Sequence, residues 1–299
     1  MCIRDRIDSM KIVAIIPTLN EEQGIGNVID KLKREGIKNI YVIDAHSTDR
    51  TVEIAKRREA KVIFQRGRGK GNAVRQALQE VNADIYIMVD GDDTYEIEAI
   101  RKMLEPVAND EADMVIGVRT KDNIPRFNRI GNWFFNLFLK SAYGHKINDV
   151  LSGFRVMNKR LVRNINLLHE GFQIETELTV EALENKFRVL EIPTKYMERK
   201  GKTKLNPILD GAKIFLTLIT LFRDYRPLRF FWLLGFVFLL LGFITSFKVI
   251  ISVITTGRLI FVGSAILAAF FFITAIQMFV TGLLADMIKM HFRRIRQIK

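Results

Sequence analysis

The chain has 299 residues, with 46 Lys and Arg against 33 Asp and Glu, for a net charge of +13. Hydrophobic residues at 48% and charged residues at 26% exclude a wholly disordered chain, and the single cysteine, Cys2, excludes an internal disulfide framework and a cysteine-based metal site. The positive charge suits nucleic acid, an anionic membrane surface or a phosphorylated ligand. Neither zinc-finger spacing nor the aromatic-glycine signatures of RNA modules occur, so no nucleic-acid partner is expected.

Residues 1–9 precede the first apolar run and read as a detached stretch, disordered or artefactual, without a function. From residue 10, short apolar runs alternate with amphipathic ones. Strands are predicted at Lys11–Ile16, Asn39–Ile43, Lys61–Phe64, Ile85–Val89 and Met114–Val118, with helices near Gln23–Glu35, Asp49–Arg58, Lys70–Val81 and Glu96–Val107. This alternation predicts an α/β domain over residues 10–204, built on a doubly wound, mostly parallel sheet covered on both faces. Right-handed crossovers bring the carboxyl ends of such strands to one edge, where ligands bind.

Polar loops follow the first four strands: Pro17–Glu22, Asp44–Asp49, Gln65–Gly71 and Asp90–Asp93. One such loop is ordinary turn chemistry; four on one edge predict a site. Asp90 and Asp92 flank Gly91, and two carboxylates so placed can share a hard divalent cation with phosphate oxygens. Asp-Gly and Asp-Asp also occur in turns for backbone reasons alone. Asp44 suits a hydrogen bond to a base or ribose, and the alternative task of capping a helix falls more naturally to Ser47 or Asp49. The glycine-rich run carrying Arg66, Arg68 and Lys70 can present amides and cations to a diphosphate. It matches neither P-loop nor GxGxxG spacing, which argues against hydride transfer.

Further along, Arg119 ends the fifth strand, and Ser152–Arg155 sets a guanidinium beside a flexible turn, an arrangement suited to a phosphate. Arg199, Lys200, Lys202 and Lys204 form a basic loop. Two amphipathic stretches, 126–140 and 205–223, carry aromatic stripes with basic flanks and are predicted to lie in a membrane interface, the second forming a segment of its own over 205–227. Leu228–Ile254 and Leu259–Ile288 each exceed the roughly 20 apolar residues that cross a bilayer and stay apolar all round. They predict a transmembrane hairpin over 228–288 with its turn at Thr255–Arg258. Arg223, Arg226 and Arg229 precede the first helix, a basic tail over 289–299 follows the second, and Arg258 stands in the turn. This asymmetry predicts a multi-pass cell-membrane protein whose soluble domain and both termini are cytoplasmic. A two-helix hairpin has little surface of its own, which leaves a homo-oligomer open.

In this order, Ile16–Glu22 (IPTLNEE), Val42–Thr51 (VIDAHSTDRT), Gly67–Arg75 (GRGKGNAVR), Asp90–Tyr95 (DGDDTY), Asp149–Arg155 (DVLSGFR) and Gly171–Leu178 (GFQIETEL) resemble the family 2 glycosyltransferases of the GT-A fold. Within that family the chain looks like polyprenyl-phosphate sugar synthases, and most like archaeal dolichyl-phosphate hexosyltransferases that start S-layer N-glycosylation. The resemblance implies that residues 10–204 form a catalytic domain. It would transfer a sugar, with inversion, from a UDP-linked nucleotide-sugar to dolichyl or another polyprenyl phosphate at the lipid bilayer, with Mg2+ or Mn2+. It further implies that Pro17, Thr18, Glu21 and Asp44 hold the uridine, Lys70 faces the diphosphate, Asp90 touches the nucleotide, and Asp92 binds the metal with Asp90. Ser152, Arg155, Arg119, Lys200 and Lys202 would meet the acceptor phosphate, and Asp92, Arg155 and Arg119 would carry the catalysis. Glu175 and Glu177 could be a general base or a structural pair, and structure or orientation is favoured, since a phosphate acceptor is already ionised. Thr94 stands where mannose-transferring members often carry Gln, so the likeness extends neither to a third side-chain metal ligand nor to mannose as the donor sugar.

Two other readings remain. A processive polysaccharide synthase would carry a Gln-x-x-Arg-Trp motif and more membrane helices, and Trp133 and Trp232 stand in no such setting. A non-catalytic membrane scaffold is opposed by the intact Asp90, Asp92, Lys70 and Arg155.

Overall fold

The computed structural model describes residues 6–7, 9–119, 147–167, 174–197, 216 and 219–298. The chain divides into two compact units, Met1–Phe215 and Leu216–Lys299. In the first unit the strands are β1 (Ile12–Thr18), β2 (Asn39–Asp44), β3 (Lys61–Phe64), β4 (Ile85–Met88), β5 (Met114–Arg119), β6 (Arg155–Asn158) and β7 (Val189–Thr194). The helices are α1 (Ile25–Arg34), α2 (Thr51–Arg57), α3 (Lys70–Glu80), α4 (Ile100–Ala108), α5 (Lys159–Asn164) and α6 (Ile174–Glu184), with a 3-10 turn at Ile97–Ala99.

The strands form one sheet in the order β3-β2-β1-β4-β6-β5-β7. Its first four strands are parallel, and so are β5 and β7. β6 runs antiparallel to both of its neighbours, β4 and β5. β1 lies between two strands and is buried through Val13–Ile16, as the continuous apolar run of an interior parallel strand requires. β4 pairs with β1 only as far as Ile15, so Pro17 falls where β1 has a neighbour on one side and the missing N–H costs little. α1 buries Ile25, Val28, Ile29 and Leu32, one helical face, into a core shared with Ile16, Val42, Ile100 and Leu104.

The reversed strand decides which loops meet. Met88, at the carboxyl end of β4, pairs with Arg155, the first residue of β6. The chain entering β6, Asp149–Phe154, therefore lies at the same edge as the loop leaving β4. The sequence placed no strand at β6 or β7; both are short and interrupted by polar residues.

Of the expected detached stretch 1–9, residues 1–5 and 8 lie outside the described residues; Ile7 packs against the core beside Met10, whose amide donates to the Ile7 carbonyl at 3.2 Å. The stretch 126–140, most of 205–223, and Arg199, Lys200, Lys202 and Lys204 lie outside the described residues.

The second unit contains two helices long and apolar enough to cross a membrane, α7 (Pro227–Thr256) and α8 (Val262–Ile298). They pack as a hairpin. Gly235 and Gly242 of α7 lie under the rings of Phe279 and Phe272, where a methyl would come within 2.6 and 2.8 Å of them. Gly257, with φ of 66°, ends α7 with its amide on the Val253 carbonyl at 2.9 Å. Phe236, Phe243, Ile266 and Phe270 are exposed on its outer surface.

Candidate active site

The edge at the carboxyl ends of β1 and β2 is built from side chains that bond across loops. Thr18 and Asp44 stand in register, and the Thr18 hydroxyl donates to Asp44 Oδ1 at 3.0 Å. Asp44 also accepts from the Ser47 amide at 2.8 Å and the Ser47 hydroxyl at 2.5 Å. Ser47 in turn accepts from the Asn20 amide at 2.8 Å. The Glu21 amide donates to Thr51 Oγ1 at 2.8 Å, and Asp49 accepts from the Thr51 amide at 2.9 Å in the turn that leads into α2, whose N-cap position is Arg50. Asp44 has no exposed surface, so a bond from it to a base or ribose requires one of these donors to give way. Pro17, Thr18, Glu21 and Asp44 thus share one wall.

The carboxylates after β4 adjoin this wall. Two glycines let backbone come close here. A methyl on Gly24, at the start of α1, would lie 2.5 Å from the Gly91 carbonyl and 2.8 Å from Asp92 Cα. A methyl on Gly153 would lie 2.5 Å from Asp90 Oδ2. Asp93 adopts a left-handed φ of 61° and is held to α1 by Lys31 Nζ at 2.6 Å and Asn27 Nδ2 at 3.1 Å. Asp92 Oδ1 accepts from the Thr94 hydroxyl at 2.6 Å, so Thr94 braces Asp92. Tyr95 accepts from the Gly153 amide at 2.8 Å. Sequence reasoning assigned no role to Asn27, Lys31, Asp93, Tyr95 or Gly153; the DGDDTY motif was the one signal that could have drawn attention to Asp93 and Tyr95.

Lys70 opens α3, after a loop tied by Gln65 Nε2 to the Gly69 carbonyl and by Asn72 Nδ2 to the Arg68 carbonyl, both at 2.7 Å. Its ammonium is buried between Asp90 Oδ1 and Glu175 Oε1, the latter at 2.6 Å. Burial alone would depress its pKa, but the two carboxylates outweigh it and hold the ammonium above the ordinary lysine range. Asp90 and Lys70 therefore meet at the edge, and Asp92 follows Asp90 in the same loop.

The cations of the second half are arranged otherwise. Arg155 was expected to meet a phosphate, and the structure corrects this. Arg155 opens an interior strand and is fully buried. Its guanidinium donates to the Ser152 carbonyl at 3.0 Å, the Val150 carbonyl at 2.7 Å and Thr179 Oγ1 at 2.8 Å. Burial, countered in part by Glu175 and Asp149, pushes its pKa down to about 10, still fully charged at neutral pH. Ser152 is corrected in the same way: it is fully buried, and its hydroxyl donates to the Gly117 carbonyl at 2.5 Å. Asp149 pairs with Arg119 through a two-pronged contact, Nε at 2.6 Å and Nη2 at 2.7 Å, and the Arg119 guanidinium lies 5.3 Å over the Tyr196 ring. Burial would lower the Arg119 pKa, and Asp149 raises it instead. Lys200 and Lys202 lie outside the described residues.

Asp90 and Asp92 offer hard carboxylate oxygens, a donor set that fits Mg2+ or Mn2+. Among the described residues no group of three or more His, Cys, Asp or Glu could hold a metal ion. Two carboxylates leave the remaining ligand positions to phosphate oxygens and water, which is ordinary for Mg2+.

A family model described as glycosyl transferase family 2 matches residues 13–165. Glycosyltransferase AglJ of Haloferax volcanii is 38% identical over 232 residues, covering 75% of this chain and 76% of that protein. A dolichyl-phosphate hexose transferase of the same organism is 33% identical over 220 residues, covering 72% and 95%. Among solved structures, glucosyl-3-phosphoglycerate synthase from Mycobacterium tuberculosis in complex with Mn2+, uridine-diphosphate-glucose and phosphoglyceric acid superposes with a TM-score of 0.61 at 19% identity, over 73% of this chain and 82% of that one. The mixed α/β sheet is the GT-A-type fold they share.

Proposed function

Because the chain belongs to glycosyl transferase family 2, we propose that it transfers a sugar from a UDP-linked nucleotide-sugar to dolichyl or another polyprenyl phosphate, feeding glycan assembly. The observation that carries this reading is the Lys70–Asp90 pair at one sheet edge, in a loop that carries Asp92 two residues on and lies against Thr18 of the Thr18–Asp44 wall. The naming of a relative as a dolichyl-phosphate hexose transferase supports the acceptor.

In this reading the uridine lies along Pro17, Thr18 and Glu21, with Asp44 fixing the wall. Lys70 faces the diphosphate from the first turn of α3, where the helix amides also favour negative charge. Asp90 and Asp92 would hold Mg2+ or Mn2+, which supplies charge neutralisation on the leaving diphosphate. An oxygen of the acceptor phosphate attacks the anomeric carbon as the bond to the diphosphate breaks, so the configuration inverts. The acceptor is ionised at neutral pH, so the protein contributes alignment and cations more than proton transfer. Arg119, Lys200 and Lys202 are the cations proposed to meet it. Arg155 and Ser152 act on it indirectly, by holding the Asp149–Phe154 turn.

The hairpin would anchor residues 10–204 as a catalytic domain on the cytoplasmic side, with 205–227 in the interface and the 289–299 tail also inside. Thiol reagents outside intact cells should reach an engineered cysteine at Gly257 and none at Lys299. Labelling at Lys299 would overturn the topology.

The test of function is transfer of isotope-labelled sugars from a panel of UDP-sugars to dolichyl phosphate by the full chain in detergent, with and without EDTA. A lipid-phosphate-linked sugar formed only with free divalent metal is the expected result. A polymer would favour the processive reading, and no product from any donor would favour the inert scaffold.

A further inference from the structure

Lys70 is held by two carboxylates that differ in their surroundings. Glu175 is almost wholly buried, whereas Asp90 is partly exposed at the opening of the site. Glu175 is the second residue of α6, which packs against α3 and is buried on nearly all sides. Its backbone is tied from behind: Thr179 donates to the Glu175 carbonyl at 3.0 Å and accepts from Arg155 at 2.8 Å. Arg155 and Thr179 thus hold the helix backbone at Glu175, and the Glu175 carboxylate meets Lys70, which also meets Asp90.

We propose that Glu175 is a positioning residue for the donor site: it shares the Lys70 ammonium with Asp90, so that Asp90 can turn to a divalent cation and Lys70 to a diphosphate without stranding a buried charge. The inference rests on the nucleotide-sugar reading above and deepens it. With Asp90 as its sole anionic partner, Lys70 would resist giving up Oδ1, because a bare ammonium in this setting carries a desolvation cost that a neutral neighbour does not offset. With Glu175 beside it, Lys70 keeps one charge partner throughout. The carboxylate nearer the opening is thus left to the ligand, and the inner one keeps the ammonium in place.

The experiment is Mn2+ binding to the full chain in detergent, read from the paramagnetic resonance of free Mn2+ with UDP present. Glu175→Gln should weaken Mn2+ binding about tenfold, the scale of an outer-sphere partner, with an unchanged melting midpoint. The double variant Lys70→Met with Glu175→Gln should bind no more weakly than Lys70→Met, because Glu175 acts through Lys70. If Glu175→Gln fails to fold, Glu175→Asp, which keeps the charge and withdraws it by one methylene, should show a smaller loss in the same assay. Unchanged Mn2+ affinity in a folded variant, or additive losses in the double, would overturn the inference alone. Absence of Mn2+ and UDP binding by the unaltered chain would overturn the nucleotide-sugar reading, and the inference with it.

Discussion

The parallel half of the sheet, β3-β2-β1-β4, and the mixed half, β6-β5-β7, use charge in opposite ways. In the parallel half, polar residues leave the strand ends and bond loop to loop, and Lys70 meets Asp90 at the edge. In the mixed half, charge is drawn inward: Arg155 serves carbonyls, Arg119 is matched to Asp149, and Asp113 is surrounded by Arg188, Arg160 and Asn158. In the parallel half the motif charges stand beyond the strand ends, at the edge of the sheet. Arg155, on a strand inside the sheet, gives its guanidinium to the protein's own carbonyls and to Thr179.

The comparison breaks most severely if Asp92→Asn is harmless. That variant should lose about a thousandfold in transfer, roughly 4 kcal/mol of barrier, at an unchanged melting midpoint. The mixed half should respond in stability instead. Arg155→Met should cost about 3 kcal/mol in denaturant unfolding, because Thr179 and two carbonyls lose a buried partner, and donor and acceptor use should fall together. Loss of acceptor affinity alone, at full stability, would restore Arg155 to the phosphate. Gly153→Ala joins the halves: its methyl must displace Asp90, and a shift of that size should cost about a hundredfold in turnover.

The smallest effect concerns acid. Burial would raise the Asp113 carboxyl, but hydrogen bonds from Arg188 and Asn158 and the charge of Arg160 outweigh it and hold the pKa at about 2. A carboxylate depressed in the folded state stabilises above its unfolded pKa of about 3.9, and that stability is lost as pH falls towards 2. Asp113→Asn should therefore flatten the acid limb of a stability profile between about pH 4 and pH 2, on the order of 2 kcal/mol. An unchanged acid limb would remove Asp113 from the account.

The same division explains what could be read from the chain. β1 to β5 were legible to within two residues because each is a compact apolar run between turn residues, and the loops after the first four drew attention to Thr18, Asp44, Lys70, Asp90 and Asp92. β6 was not legible: Arg-Val-Met-Asn has no pattern, and its antiparallel place depends on strands distant in sequence. α6 hid for another reason. It buries Glu175, Glu177 and Glu181 together with its apolar residues, so it has no polar face to give it a helical period. Arg155 was read as a ligand contact because spacing cannot distinguish a turn that opens outward from one that feeds a strand back into the sheet.

The reversed strand also sets an order of assembly. β6 slots between β4 and β5, both of which precede it in the chain, so a chain emerging from the ribosome presents β5 before either of its neighbours in the sheet exists. β1 and β2 also precede a partner, but β2 follows β1 and β3 follows β2 after much shorter stretches of chain. Pairing across so long a separation is entropically late, and Asp90 meets Gly153 only once it is made. Pulse-labelled hydrogen exchange should then find the amides of Ala14 and Val42 protected before those of Val156 and Met157, with the carboxylate edge as the last part of the domain to close.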